Sequence, residues 1–186
     1  MGSVKEFNPK PKPCAHCESM FTPVRPMQAV CSPICAARKV KADKVKERKT
    51  LAKRKEDAKP RAKWLEECQE IINKYVRLRD RHLPCCSCDR PASWDGQWHA
   101  SHYRSVGAAS AVRFNLWNIH KGCSICNRRL SGNIANYRPR IIERIGMERH
   151  EWLMAQNGIV RYDIEYLKRL KAVMSRKLRR LEKRIG

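Results

Sequence analysis

Four pairs of closely spaced cysteines constrain this chain more than any other feature: Cys14 with Cys17, Cys31 with Cys35, Cys85 with Cys88, and Cys123 with Cys126. The opening residues Met1-Gly2-Ser3-Val4-Lys5 lack the apolar run of a secretory signal. That predicts a reducing compartment, where disulfides do not persist and clustered thiols act as metal ligands. A C-x-x-C knuckle turns two thiolates toward one tetrahedral ion, and two such pairs close a structural zinc site. Pairing in sequence order predicts two zinc ions, one on Cys14, Cys17, Cys31 and Cys35, the other on Cys85, Cys88, Cys123 and Cys126. Each site contributes on the order of 10 kcal/mol of folding free energy. With 42% apolar and 7% aromatic residues in 186, the core is small and needs that help. Of the two remaining thiols, Cys68 sits on an apolar helical face and reads as a core residue. Cys86 is an alternative ligand to Cys85, with the x-x spacing favouring Cys85.

The charge balance sets the partner. Lys and Arg number 41 against 18 Asp and Glu, a formal net charge of +23, which points to a polyanion, nucleic acid before an anionic membrane surface. No run of about 18 apolar residues is present to span a membrane. The sequence divides into residues 1–35, a Pro-rich zinc knuckle; 36–63, a basic arm; 64–160, a core with its packing helices; and 161–186, a basic amphipathic helix. The arm favours helix but has no apolar stripe, predicting a solvated helix or a partly disordered segment. Trp64, Leu65, Cys68, Ile71, Ile72, Tyr75 and Val76 recur at three and four, predicting a helix to about His82. Pro139 to Gln156 reads as short helices broken at Gly146. From about Asp163, Leu167, Leu170, Met174, Leu178, Leu181 and Ile185 line one helical face, which can pack back on the domain or pair with a second copy. The fold class is α+β, mainly helical.

Between the two central cysteine pairs lie His99, His102, Asn118 and His120, with Asn127 directly after Cys126. The expected local structure is a knuckle opening a hairpin, one strand presenting His102, and a second knuckle leading into a helix that starts at Asn127. Zinc then holds an imidazole and an amide at one cleft. A neutral His can take a proton from an attacking water, and a divalent ion held by few protein ligands can stabilise charge growing on a phosphate. His82 and His150 read as surface residues. Trp94, Trp98 and Trp117 read mainly as core, with stacking on an unpaired base the alternative. Arg104, Arg113, Arg128 and Arg129 surround the expected cleft as a phosphate clamp, with Lys53 and Arg54 on the arm as further DNA contacts.

The order Cys85-x-x-Cys88, His102, Asn118, Cys123-x-x-Cys126-Asn127 resembles the HNH endonucleases of the ββα-metal fold that carry a structural zinc. His102-Tyr103-Arg104, Asn118-Ile119-His120-Lys121 and Ser131-Gly132-Asn133 are similar to segments of the NinG/Rap recombination nucleases of lambdoid phages. The resemblance implies a zinc-stabilised ββα-metal core flanked by the N-terminal knuckle and basic helices. It implies His102 as general base, Asn118 as the amide that fixes the loop and orients the base, and Asn127 as a ligand of a catalytic Mg2+ or Mn2+. Ser101 stands where many HNH enzymes place an acidic ligand, so His99 or His120 is the candidate second ligand. The implied function is metal-dependent, structure-selective cleavage of branched DNA such as Holliday junctions and D-loops, in the cytoplasm of a bacterial host, as a homodimer or with host or phage recombination proteins. The alternative is a zinc-bearing DNA-binding protein with a degenerate, non-catalytic module.

Overall fold

The computed structural model describes residues 8–186, which form two compact units dividing between Lys59 and Pro60. The first unit is a small ribbon followed by a helix. Strands β1 (Lys12–Pro13) and β2 (Met20–Phe21) pair antiparallel, Lys12 opposite Phe21. They carry the Cys14–Cys17 knuckle between them. Helix α1 (Pro33–Asp57) starts on Ser32, whose hydroxyl accepts from the Cys35 amide, with Pro33 supplying a preset φ in the first turn. Its one buried residue among those described is Cys35; Val40, Val45 and Leu51 are exposed. Of the two expectations for the basic arm, the solvated helix is the one observed. The thiolate cluster fixes its start, and Lys and Arg propensity carries it on.

The second unit is built on a two-stranded sheet. Helix α2 (Arg61–Arg79) buries Trp64, Cys68, Ile72 and Val76 at four-residue intervals. Strands β3 (Trp98–His102) and β4 (Ile119–Cys123) pair antiparallel, with His99 opposite Gly122, Ser101 opposite His120 and His102 opposite Ile119. A five-residue π-helical turn (Ile125–Arg129) follows, then α3 (Ile134–Ile145), α4 (Met147–Ala155) and α5 (Ile164–Ile185). The period-two alternation of a strand gives the sheet two different faces. Ala100 and Ile119 join Trp64, Ile72, Val76, Phe114, Leu167 and Met174 in one apolar cluster. Ser101 and His120 instead face Tyr137 of α3, whose hydroxyl bonds to both.

The stripe on α5 is covered by this chain itself: Leu167, Met174 and Leu178 are buried against α2, and the Cys68 thiol donates to the Leu167 carbonyl at 3.2 Å. Gly146, at φ +84°, separates α3 from α4. Helix α3 starts five residues before Pro139 rather than at it, because Tyr137, Ile141 and Ile145 form one buried stripe that holds the first turn in place. No described helix is long and apolar enough to cross a membrane.

Candidate functional site

The two cysteine quartets converge. In each, one sulfur per residue lies within 4.8 Å of the other three. Sulfur contacts of 3.6 Å for Cys17–Cys31 and Cys31–Cys35, and 3.8 Å for Cys88–Cys123, match ligands of a tetrahedral ion with Zn–S near 2.3 Å, whose sulfurs lie about 3.8 Å apart. Backbone amides point at the sulfurs as thiolate acceptors require: Cys31 N–H to Cys14, Cys123 N–H to Cys85, and Cys126 N–H to Cys123. Arg90, which the sequence reading did not single out, donates to Cys88 at 3.2 Å and to Cys123 at 3.6 Å, a cation offsetting the charge of a four-thiolate site. Both quartets could therefore hold structural zinc. Cys86 lies outside the quartet, buried beside Tyr103, Tyr137 and Ile141.

The second quartet ties the loop ahead of β3 to the end of β4 and to the turn after it. Gly122 is required in that packing: a Cβ there would sit 2.4 Å from the Ser101 hydroxyl and 3.1 Å from the Cys86 sulfur. Ser101 is 1% exposed, and its hydroxyl has no hydrogen-bond partner among the described residues.

His99 and Asn127 come together beside the second cysteine quartet. The Asn127 Nδ2 lies 3.0 Å from His99 Nδ1, at a cleft of about 460 Å³ that also takes in Asn73 and Arg77 of α2. An NH₂ group only donates, so His99 Nδ1 accepts and its proton sits on Nε2, leaving the Asn127 Oδ1 for a ligand. Burial, then the charges of Arg128 and Arg77, hold His99 below the ordinary imidazole value. Asn127 lies inside the π-helical turn rather than at the start of a longer helix. A second cleft, of about 440 Å³, shares Asn73 and is walled by Gln69 and Arg113.

His102 and Asn118 meet at the loop between the strands. Asn118 is fully buried; its Oδ1 accepts from the Arg104 amide, and its Nδ2 donates to the carbonyls of Arg104 and Val112. His102 Nε2 lies 2.9 Å from the Arg113 carbonyl. A carbonyl only accepts, so Nε2 carries the proton and Nδ1 holds the basic lone pair. Burial lowers the His102 pKa and keeps the ring neutral near pH 7. His102 touches the wall of the second cleft through Arg113 and is not among the residues lining the His99–Asn127 cleft.

Several side chains lie elsewhere than the sequence suggests. His120 is 4% exposed and hydrogen-bonded to Tyr137, apart from the His99–Asn127 pair, with burial pushing its pKa down to about 3. Arg104 spends its guanidinium on the carbonyls of Leu153, Met154 and Gln156 and on the Asn157 side chain, closing the end of α4. His150 is not at the surface; it is 4% exposed and paired with the Tyr103 hydroxyl. Arg128 and Arg129 are exposed on the turn, Arg113 binds Gln69, and Lys53 and Arg54 are exposed on α1. Asn73 and Arg77 were missed; the sequence marks them only as polar residues one position after the buried Ile72 and Val76 of α2.

The profile of the family described as "Bacteriophage Lambda NinG protein" matches residues 6–184, nearly the whole chain. The chain belongs to the NinG family. The protein ninG of Escherichia phage lambda is 38% identical over 184 residues, covering 89% of each chain, and that of Salmonella phage P22 is 36% identical over 184 residues, covering 89% and 90%. The Enterobacteria phage H19B protein ninG is 35% identical over 192 residues, covering 93% and 94%. No solved structure matches the chain. The relatives of this NinG family member are phage proteins, and their names state no activity.

Proposed function

We propose that this protein is an HNH-type, metal-dependent DNA endonuclease acting on branched recombination intermediates inside the infected bacterial cell, with β3, β4 and the Ile125–Arg129 turn as its ββα-metal core. The observation that carries the reading is the hairpin at the second cysteine quartet that seats His99 and Asn127, 3.0 Å apart, in a polar cleft flanked by Arg77 and Arg128. His102 supports it through its tautomer. With Nε2 held by the Arg113 carbonyl, Nδ1 is a neutral, oriented proton acceptor, and Asn118 locks the loop that supplies that carbonyl. Asn127 Oδ1, joined by His99 Nδ1 once the Asn127 amide releases it, would hold a divalent ion, an oxygen and an imidazole nitrogen that suit Mn2+ better than Mg2+. Such an ion supplies charge stabilisation at the phosphate. Arg77, Arg113 and Arg128 bind and orient the backbone.

One observation favours the second reading, a DNA-binding protein without catalysis. Among the described residues, the groups of three or more His, Cys, Asp or Glu able to surround an ion are the two cysteine quartets alone, and the cleft offers no carboxylate. A four-way junction and a linear duplex, each incubated with the full chain and Mn2+, Mg2+ or neither, separate the two. The nuclease reading expects ion-dependent nicking of the junction, reduced about 100- to 10,000-fold in His102→Ala with DNA binding retained. Unchanged cutting by His102→Ala removes it as base, and firm binding without cutting under any ion establishes the binder.

A further inference from the structure

Two tryptophans stand at the surface of the second unit without a role in that site. Trp117 is 37% and Trp152 45% exposed, and their rings meet edge to face with centroids 5.6 Å apart. Large aromatic rings left in water are informative where exposed Lys or Glu would not be. The Arg149 guanidinium lies 5.0 Å from the Trp117 ring centre, and Trp117, Arg149 and Trp152 line an open cavity of about 480 Å³ together with Glu148. Trp117 and Arg149 also line a second cavity, of about 260 Å³, whose walls include Arg144. Arg144 donates from Nη2 to the Pro84 carbonyl, while its Nη1 is buried with no hydrogen-bond partner among the described residues. The acid of this second cavity, Asp80, is committed to Arg79 and to the Lys121 amide.

We infer that the Trp117–Trp152 corner stacks one unpaired base of a single-stranded nucleic acid, with the exposed Arg149 receiving an adjoining phosphate. Three features argue for this occupant. An edge-to-face ring pair leaves a right-angled recess in which a flat base stacks on one ring and abuts the other. Every base presents a π-face, so such a corner is sequence-tolerant. Arg149 beside it, on a chain of net charge +23, complements a phosphate and would repel a basic partner. The inference rests on the nucleic-acid reading above and adds to it a contact that duplex DNA, with its bases stacked away, cannot make. Branch points are where unpaired bases arise.

The test is binding, not cutting, so it is independent of the catalytic assignment. Fluorescently labelled oligo(dT) and a duplex of equal length are titrated with the full chain in buffer without added divalent ion, for the wild type, Trp152→Ala, Trp152→Phe and Arg149→Ala. Trp152 is exposed, so its replacement leaves the fold intact, as circular dichroism verifies. Trp152→Ala should weaken oligo(dT) binding about 5- to 100-fold while leaving the duplex within twofold, with Trp152→Phe restoring most of the loss. Equal loss on both probes, or none on either, overturns the stacking site and leaves the DNA-binding reading standing. Wild type that binds neither probe overturns both. If Trp152→Ala instead dissociates a dimer in sedimentation, the corner is a contact between copies and the inference fails.

Discussion

His120 shows how much a single residue can carry away from the cleft. The Tyr137 hydroxyl has one proton and gives it to the Ser101 carbonyl, so it accepts from His120 Nδ1, which fixes that tautomer without any ion. With burial holding its pKa at about 3 against 6.5 in an open chain, the folded protein refuses a proton that the unfolded chain takes up. Stability from this residue is therefore complete above about pH 6.5 and is lost as the pH falls toward 3, at up to about 1.4 kcal/mol per pH unit. Urea unfolding at pH 6 and pH 5 should show a slope between them shallower by about that amount in His120→Gln than in the wild type. An unchanged slope would mean the ring titrates normally in the fold. Arg104 teaches the opposite lesson about legibility. Its near neighbour in sequence, His102, belongs to the proposed site, but the Arg104 guanidinium bonds run to carbonyls about fifty residues away, and nothing local in the sequence announces a long-range cap.

At the scale of elements, what was readable is what local chemistry decides. Cysteine spacing located both quartets because a knuckle is a few residues long and the ligand set is closed. The α2 and α5 stripes were readable by period, and Asp163 marked the start of α5, where its carboxylate accepts from the Tyr166 amide. Less readable was anything set by two elements at once. The His99–Asn127 pairing depends on the strand register and on the π-helical turn, and a π-turn has no sequence signature comparable to a cap. The burial of His150 depends on α4 meeting Tyr103. The quartets give an element-level prediction. Elemental analysis of protein purified without added metal should find two zinc ions per chain. Cys85→Ser should unfold the residues 60–186 unit, whereas Cys14→Ser should leave it with an unchanged melting transition, since residues 8–59 form a separate compact unit. One zinc in the wild type, or loss of both units on Cys14→Ser, would contradict this.

At the scale of the molecule, charge dominates. Exposed basic residues cover α1, the turn at Arg128 and Arg129, and the outer side of α5, while the buried apolar surface of the described residues lies mainly in two modest clusters and around the cysteine quartets. Binding to DNA should therefore be dominated by release of counterions. If about six phosphates are neutralised, the slope of log K against log salt is roughly −5, and affinity for a linear duplex falls about 1,000-fold between about 50 and 200 mM salt. Filter binding across that range measures it; a slope shallower than about −2 would show that most of the charge stays out of contact.

Helix α1 adds something that net charge does not express. Its 25 residues make a rod about 37 Å long at 1.5 Å per residue, close to one full turn of a DNA duplex. Arg38, Lys39, Lys41, Lys44, Lys46, Arg48 and Lys49 follow one another so closely that they circle the axis instead of marking one side of it. A rod like this can roll about its own axis against a phosphate backbone with little change in energy. On the proposed DNA-binding reading, such a rod would hold a duplex in reach while the duplex turns, leaving orientation to other residues.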